Sequence, residues 1–393
     1  MNATANTLPL FSMTKTPVIA RTESIDPQRL TRAKAAYTTR FAAQRIATDP
    51  SGYSLLSGVG VVPSAGDIVL ARVHTLGQHG RIEGPDSRRA SLFEGDEILV
   101  AYGDRYAPDQ FEAHVPTTLG HTNLAAAGGV AGDVLSAHTS MDEPTVLEPI
   151  GLLSDAQGVV TLRRCAPFGL TTPRQFLSRP RRGAPPVIAV LGTSMNSGKT
   201  TTVASIVRGL TAAGLTVAAG KVTGTGAGGD PWLFGDSGAA TVMDFTSFGY
   251  ASTYLLDHDE IRSLLVSLVT ELSATGPDAV VLEIADGLFQ RETARLIEDP
   301  LLGHVVHNVV FAAGEALGAI AGRDLLTRKG LRPVAVSGRL TASPLATRET
   351  TSAVDIPVLD VHELASPNVA DLVLPRRGLQ VFATTRERGH RAG

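Results

Sequence analysis

The feature that most constrains this chain is an apolar strand that leads directly into a glycine-containing loop and then a helix. Residues 187–201 are VIAVLGTSMNSGKTT, and apolar residues follow at helical spacing at positions 203, 206, 207 and 210. Gly198-Lys199-Thr200 fits the end of the phosphate-binding pattern Gly-x-x-x-x-Gly-Lys-Thr. Thr193 stands where that pattern has its first glycine, and Gly192 lies one residue earlier. The run predicts a P-loop that binds a nucleoside triphosphate.

Each part of this loop has a predicted role. Backbone N–H groups would point at the phosphates, and the N-terminal end of the following helix would add its positive dipole end. Lys199 would place positive charge on the β- and γ-phosphates, and the Thr200 hydroxyl would bind Mg²⁺. The predicted nucleotide-binding residues are Gly192, Thr193, Ser194, Met195, Asn196, Ser197, Gly198, Lys199, Thr200 and Thr201.

Composition limits the partners that this chain can attract. Charged residues make up 19% of the 393 residues and the formal net charge is −3, so no global field favours nucleic acid or an anionic membrane. The single cysteine, Cys165, excludes an intrachain disulfide framework and a multi-cysteine metal site. We expect a small-molecule substrate and leave open whether the chain forms a homodimer.

The absence of sorting signals favours a cytoplasmic location. The first residues lack the basic and long apolar regions of a secretory signal, and no apolar run approaches the roughly 18 residues of a membrane helix. A lone cysteine also fits a reducing compartment. We therefore expect a cytoplasmic protein with no membrane partner.

Changes in sequence texture predict how the domains are organised. Residues 1–60 are predicted to hold a tail and one helix over 26–47, and residues 61–178 a β-rich barrel or sandwich of short strands separated by Gly, Asp and Pro. A proline- and arginine-rich linker is expected over 179–186. Residues 187–393 alternate strand and helix patterns, ending in an arginine-rich tail, and predict a P-loop domain. Its class would be α/β, with a mostly parallel sheet covered by helices on both faces.

Charged residues follow two further strands of this predicted sheet. Lys221 lies near the end of a strand over 216–222, and Glu283 closes the apolar strand 279–284, with Asp286 shortly after it. Because ligands of such sheets bind at the carboxyl ends of the strands, these side chains are expected beside the P-loop. Lys221 would neutralise charge on a transferring phosphoryl group, and Glu283 or Asp286 would help Thr200 to hold Mg²⁺.

The long segment between the second and third of these strands is predicted to close over the second substrate. Residues 224–250 are rich in glycine near their start and have no core periodicity, which favours a mobile lid. Asp230, Asp244 and Tyr250 are the predicted substrate-binding residues of this lid.

The order of these motifs resembles that of dethiobiotin synthetase. Gly192-Thr193, four residues and then Gly198-Lys199-Thr200 resemble that family's longer phosphate loop, with Lys221-Val-Thr-Gly and Val281-Leu-Glu283 following in the same order. Cobyrinic acid amide synthetases and molybdopterin-guanine dinucleotide adaptor proteins belong to the same branch. The resemblance covers roughly 187–365. It implies ATP, Mg²⁺ and chemistry in which the γ-phosphoryl group activates a carboxylate, with Lys199, Lys221 and Glu283 as catalytic residues.

Three functions are compatible with these residues. The first is an ATP-dependent ligase or synthetase for a small carboxylate. The second is a small-molecule or polynucleotide kinase, and the third is a nucleotide-binding adaptor or metallochaperone, although the ten histidines are scattered and only one cysteine is present. No Asn-Lys-x-Asp guanine motif is present, because Ser337-Gly-Arg339 stands in the corresponding place, so ATP is favoured over GTP.

Overall fold

The computed structural model describes residues 19–179 and 183–375, and divides them into two compact units. The first unit holds residues 19–168 together with 225–228 and 248–252, and the second holds the remaining described residues. The predicted tail up to residue 18, residues 180–182 of the predicted linker and the arginine-rich 386–391 lie outside the described residues.

Short strands dominate the first unit. Its strands are β1 (Arg21–Ser24), β2 (Lys34–Ala35), β3 (Ser54–Ser57), β4 (Ile68–Thr75), β5 (Arg81–Glu83), β6 (Arg89–Ser91), β7 (Glu97–Tyr102), β8 (Phe111–His114), β9 (Thr122–Ala126), β10 (Val130–Ala137), β11 (Val146–Asp155) and β12 (Gly158–Val159). Its helices are α1 (Pro27–Arg32), α2 (Arg40–Thr48) and α3 (Leu162–Cys165).

Most strands of this unit pair in one largely antiparallel sheet. The order along the sheet is β1-β3-β11-β4-β7-β10-β8. Strand β9 pairs with both β10 and β11, so the pairings β11-β4-β7-β10-β9-β11 form a closed ring. Apolar side chains of β4 and β7 are buried on both sides of the sheet. Those on one side belong to one hydrophobic cluster, and those on the other side belong to a second.

The prediction of one helix over 26–47 is wrong. The structure has two helices, and between them Lys34 and Ala35 form β2, which pairs in parallel with β7. The buried Thr39 hydroxyl donates to Leu99 O and accepts from Ala36 N at 2.8 and 3.1 Å. The Ala36 N–H, which a continuous helix would have paired within itself, also donates to Leu99 O at 3.1 Å and so joins the sheet.

A half-buried histidine of the first unit, His79, makes the stability of that unit depend on pH. His79 Nε2 lies 3.1 Å from Ala125 O and 3.3 Å from the Arg105 guanidinium. Burial, and next the positive charge of Arg105, lower the pKa of His79 to about 4. In the unfolded chain a histidine has a pKa of about 6.5. Between pH 6.5 and pH 4, His79 is therefore protonated in the unfolded state and neutral in the folded state. The free energy of unfolding falls as the pH drops through this window.

We expect the wild-type free energy of unfolding to fall by about 2 kcal/mol more than that of His79→Gln between pH 7 and pH 5. Denaturant unfolding at the two pH values measures the difference. The control is His138→Gln, which replaces an exposed histidine of the same unit and should leave the wild-type pH dependence intact. Parallel pH curves for His79→Gln and wild type would contradict the assignment.

The second unit alternates strands and helices. Its strands are β13 (Val187–Gly192), β14 (Val217–Thr223), β15 (Thr241–Asp244), β16 (Ala279–Ile284), β17 (Asn308–Ala312) and β18 (Pro333–Ser337). Its helices are α4 (Pro173–Leu177), α5 (Lys199–Ala212), α6 (Gly229–Asp236), α7 (His258–Ala274), α8 (Arg291–Glu298), α9 (Pro300–Val305), α10 (Ala316–Arg328), α11 (Pro344–Ala353), α12 (Val361–Leu364) and α13 (Val369–Val373). Two short 3₁₀ helices span Phe245–Phe248 and Arg339–Ala342.

The six strands of the second unit form one parallel sheet, as predicted for this part of the chain. Their order is β15-β14-β16-β13-β17-β18, and every pairing is parallel. Strand β13 is fully buried, and its apolar side chains pack with the apolar stripe of α5 in one core. The carboxyl ends of β13, β14, β16, β17 and β18 therefore meet at one edge of the sheet, where the P-loop lies.

One prediction for this unit needs correction. Residues 224–250, which the sequence predicts to form a mobile lid, contain α6, the edge strand β15 and a 3₁₀ helix, so the prediction of a loop without regular structure is wrong, and closure over a substrate stays a prediction. Phe234, Phe245 and Phe248 are buried there at non-periodic positions, so the core residues of this segment escape a search for regular spacing.

No helix among residues 19–179 and 183–375 has the length and apolar character needed to cross a membrane.

Candidate nucleotide site

The loop between β13 and α5 has the local geometry of a phosphate cradle. A Cβ atom at Gly192 would lie 2.7 Å from Lys199 Cγ, so only glycine lets the lysine stem cross the end of the strand. Gly198 has a φ of +96° and places its backbone so that α5 begins at Lys199. Lys199 Nζ donates to Ser194 O at 2.7 Å, which holds the ammonium group over its own loop. The strand, loop and helix are arranged as the sequence predicts.

A cavity of about 510 Å³ opens beside this loop, at the carboxyl edge of the parallel sheet. It joins side chains that are far apart in the sequence. The residues that line it are Met195, Asn196, Gly198, Lys199, Thr200, Thr201, Lys221, Asp230, Glu283, Asp286 and Arg339.

A buried carboxylate lies next to the P-loop threonine. Glu283 is the penultimate residue of β16, the strand next to β13, and is only 2% exposed. The Thr200 hydroxyl lies close enough to this carboxylate to favour its charged form, and among the described residues the carboxylate oxygen Oε2 is buried with no hydrogen-bond partner. Burial raises the pKa of Glu283, against the attraction of Lys221. An unsatisfied oxygen beside a threonine hydroxyl is a donor set that a divalent cation would complete.

The second predicted lysine lies between two carboxylates. Lys221 forms an ion pair with Asp230, at the start of α6, and its Nζ lies 3.7 Å from Glu283 Oε1. Burial by itself would lower the pKa of Lys221, but the negative charges of Asp230 and Glu283 outweigh it and raise the pKa above the ordinary value. Lys221 therefore stays charged, and its cation lies inside the cavity.

Lys199 has a different environment, although it lines the same cavity. It is 5% exposed, and burial lowers its pKa, with Glu283 and Asp286 acting in the opposite direction. A lysine held in this way is poorly solvated before a ligand arrives. A polyphosphate would supply the negative charge that the buried ammonium lacks.

Arg339 lines the cavity but is not among the site residues that the sequence predicts. It follows the last strand of the sheet, β18, and its backbone N donates to Ser197 O at 2.9 Å. The preceding Gly338 has a φ of +102°, and a Cβ there would lie 2.6 Å from Ala313 N. The rule that located Lys221 and Glu283, a charged residue at the carboxyl end of a parallel strand, also applies to Arg339.

Two predicted substrate residues do not reach the cavity. The Asp244 carboxylate is 2% exposed and accepts from Thr246 N at 3.0 Å. Tyr250 belongs to the first unit, where its hydroxyl accepts a hydrogen bond from Arg163. Of the three predicted substrate residues, only Asp230 lines the cavity, and Lys199, Thr200, Lys221, Glu283 and Asp286 line it as well.

Comparison with known proteins yields remote structural likenesses only. No family model matches the sequence, and no curated protein is similar to it. Signal recognition particle receptor FtsY from Elizabethkingia anophelis is 16% identical and matches over 51% of this chain and 67% of that one, with a TM-score of 0.32. The same receptor in complex with GDP is 16% identical and matches over 49% of this chain and 64% of that one, with a TM-score of 0.30. FtsY from Mycoplasma mycoides is 10% identical and matches over 49% of this chain and 68% of that one, with a TM-score of 0.33.

Scores this low carry no argument about activity, and they add nothing on the resemblance to dethiobiotin synthetase. The assignment of a P-loop nucleotide-binding fold to the second unit rests on the strand order of its sheet and on the geometry of the loop.

Proposed function

We propose that the second unit binds ATP with Mg²⁺ and transfers the γ-phosphoryl group to a small carboxylate, activating it for ligation. One observation carries the proposal. A single cavity brings the P-loop lysine, a second charged lysine and a buried carboxylate next to the P-loop threonine. Positive charge for the phosphates and oxygen ligands for a metal are the two requirements of phosphoryl transfer.

The residues present fit the magnesium ion that this chemistry requires. Thr200 and Glu283 would hold it, since Glu283 Oε2 is buried and unsatisfied in the part of the chain that the structure describes. Asp286 also lines the cavity and would accept hydrogen bonds from water on the ion. The bound ion would supply charge neutralisation between the β- and γ-phosphate oxygens.

The preference for ATP rests on how two carboxylates that follow the strands on the β17 and β18 side of the sheet are used. Recognition of guanine needs an acceptor for its ring and amino N–H groups. Glu315, after β17, accepts from the N–H groups of residues 317 and 318 at 3.2 and 2.6 Å, which caps α10. Asp360 caps α12 through His362 and Glu363, each at 2.8 Å. Both carboxylates are therefore occupied in holding their own helices.

Lys221 is the residue that we assign to the transferring group. Its cation lies inside the cavity on the side of β16 and β14, close to the proposed metal ligand. Charge that moves onto the γ-phosphoryl oxygens during transfer would be stabilised by this fixed positive group. The acyl phosphate formed on the acceptor would then react with an amine, which releases inorganic phosphate.

Product analysis tests the reaction class. The full chain is incubated with Mg-ATP and a panel of small carboxylates, with and without amines, and ADP and phosphate are measured separately. The proposal expects ADP and free phosphate in equal amounts only when a carboxylate and an amine are both present. ADP with the phosphate retained on a stable product would instead identify a kinase. No nucleotide binding at all would refute the proposal.

We expect Lys221→Ala to lower kcat by about a hundredfold or more, because its charge acts mainly on the transition state. The Kd for Mg-ATP should change much less, and kcat/KM should fall together with kcat. Asp230 and Glu283 lose their positively charged partner in this variant, which could destabilise the protein. The Tm of the variant is therefore compared with that of the wild type to check that it is folded. Equal losses in kcat and in ATP affinity would show that Lys221 contributes only to binding.

A further inference from the structure

Arg339 lies against the phosphate loop, in the turn that follows β18. Its backbone N–H bonds to Ser197 O at 2.9 Å, and a Cβ on Gly198 would come within 2.9 Å of the Arg339 backbone N. The turn after β18 therefore packs directly on the residues that precede Lys199. The Arg339 side chain extends from this turn, is exposed, and lines the nucleotide cavity.

The other cations of the cavity are engaged with the protein. Lys221 pairs with Asp230, and Lys199 donates to Ser194 O. The Arg339 guanidinium, by contrast, has no hydrogen bond or ion pair with any of residues 19–179 and 183–375. It is available to a ligand without the loss of an internal contact.

The order of strands shows which end of the nucleotide Arg339 would face. Lys221 on β14 and Glu283 on β16 lie to one side of the P-loop strand, and β17 and β18 lie to the other. The second lysine and the proposed metal ligand mark the γ-phosphate end. With the γ-phosphate placed there, the nucleoside would extend toward the carboxyl ends of β17 and β18, where Arg339 lies.

We propose that Arg339 stacks its guanidinium plane on the purine base of the bound nucleotide and so holds the nucleoside end of the site. This inference rests on the nucleotide site proposed above. Arginine is suited to this contact because its planar, weakly hydrated guanidinium can lie flat on an aromatic face, whereas an ammonium group is a compact, strongly hydrated point charge with no plane to stack. A stacked group contacts the face of the base and not its edges, so adenine and guanine gain equally from it.

The test compares three ligands and three variants of the full chain by isothermal titration calorimetry. The ligands are ADP, GDP and inorganic tripolyphosphate, which has phosphates but no base. Arg339→Ala should weaken ADP and GDP binding by about tenfold each, with GDP starting from the weaker affinity, and should leave tripolyphosphate binding unchanged. Arg339→Lys keeps the charge but loses the plane, and should be as weak as Arg339→Ala. Arg332→Ala removes an exposed arginine just before the other end of β18 and should match the wild type.

Each other outcome has a definite meaning. Unchanged ADP affinity in Arg339→Ala, with a wild-type protein that binds ADP, would overturn this inference and leave the proposed function standing. Recovery of ADP affinity in Arg339→Lys, or a parallel loss of tripolyphosphate binding in Arg339→Ala, would show a phosphate contact and overturn the stacking. A wild-type protein that binds none of the three ligands would overturn the proposed function and this inference with it.

Discussion

Lys199→Ala is expected to abolish turnover and to weaken Mg-ATP binding by at least about a hundredfold, while the protein stays folded. The ammonium group neutralises phosphate charge from a buried position, where charge-assisted hydrogen bonds are worth about 1.5–3 kcal/mol each. Folding depends on it less, because burial lowers the pKa of Lys199 and its described hydrogen bond goes only to Ser194 O. Alanine is also a better helix former at the start of α5.

Thermal melting with and without Mg-ATP measures both parts of this expectation. The variant should melt within a few degrees of the wild type without ligand, and should lose the ligand-induced rise in Tm. Lys329→Ala is the matched control, because it removes a lysine of the second unit that pairs with Glu298 at the surface, outside the cavity. A full ligand-induced rise in the Lys199 variant would contradict the P-loop assignment.

The second large effect is expected from Glu283→Gln, which keeps the shape of the side chain and removes its charge. The magnesium concentration for half-maximal ATP binding should rise by at least about tenfold, and turnover should fall by about a hundredfold at low magnesium. Excess magnesium should restore part of the loss, because the Thr200 ligand remains. ATP affinity in the presence of EDTA should stay near the wild-type value, since the phosphate-binding groups are intact.

Glu292→Gln separates this effect from the general cost of changing a buried carboxylate. Glu292 is also 2% exposed, but it accepts from Leu255 N at 3.1 Å and does not line the cavity. This variant should lose stability and keep the wild-type magnesium dependence. If both glutamine variants respond to magnesium alike, Glu283 is not a metal ligand.

The sequence predicts the part of the site whose geometry is local. Strand β13, its loop and α5 are adjacent in the chain, so their conformation follows from the apolar run, from Gly192 and Gly198, and from helical spacing. Lys221 and Glu283 are also predictable, because parallel strands bring their carboxyl ends to one edge whatever the details of packing. The parallel sheet of the second unit follows from the same alternation of patterns.

Tertiary structure decides the rest, because it depends on contacts between residues far apart in the chain. The backbone between α1 and α2 leaves the helix to pair with β7, and the glycine-rich segment after β14 becomes a helix and an edge strand. The Asp244 carboxylate could contact a polar substrate, yet the neighbouring residues bury it away from the cavity. Arg339 gains its place from a turn that packs on Ser197, 142 positions earlier in the chain. The sequence by itself determined which residues could contact the phosphates, and only the packing of the turn after β18 against the loop decided that Arg339 lies at the proposed nucleoside end.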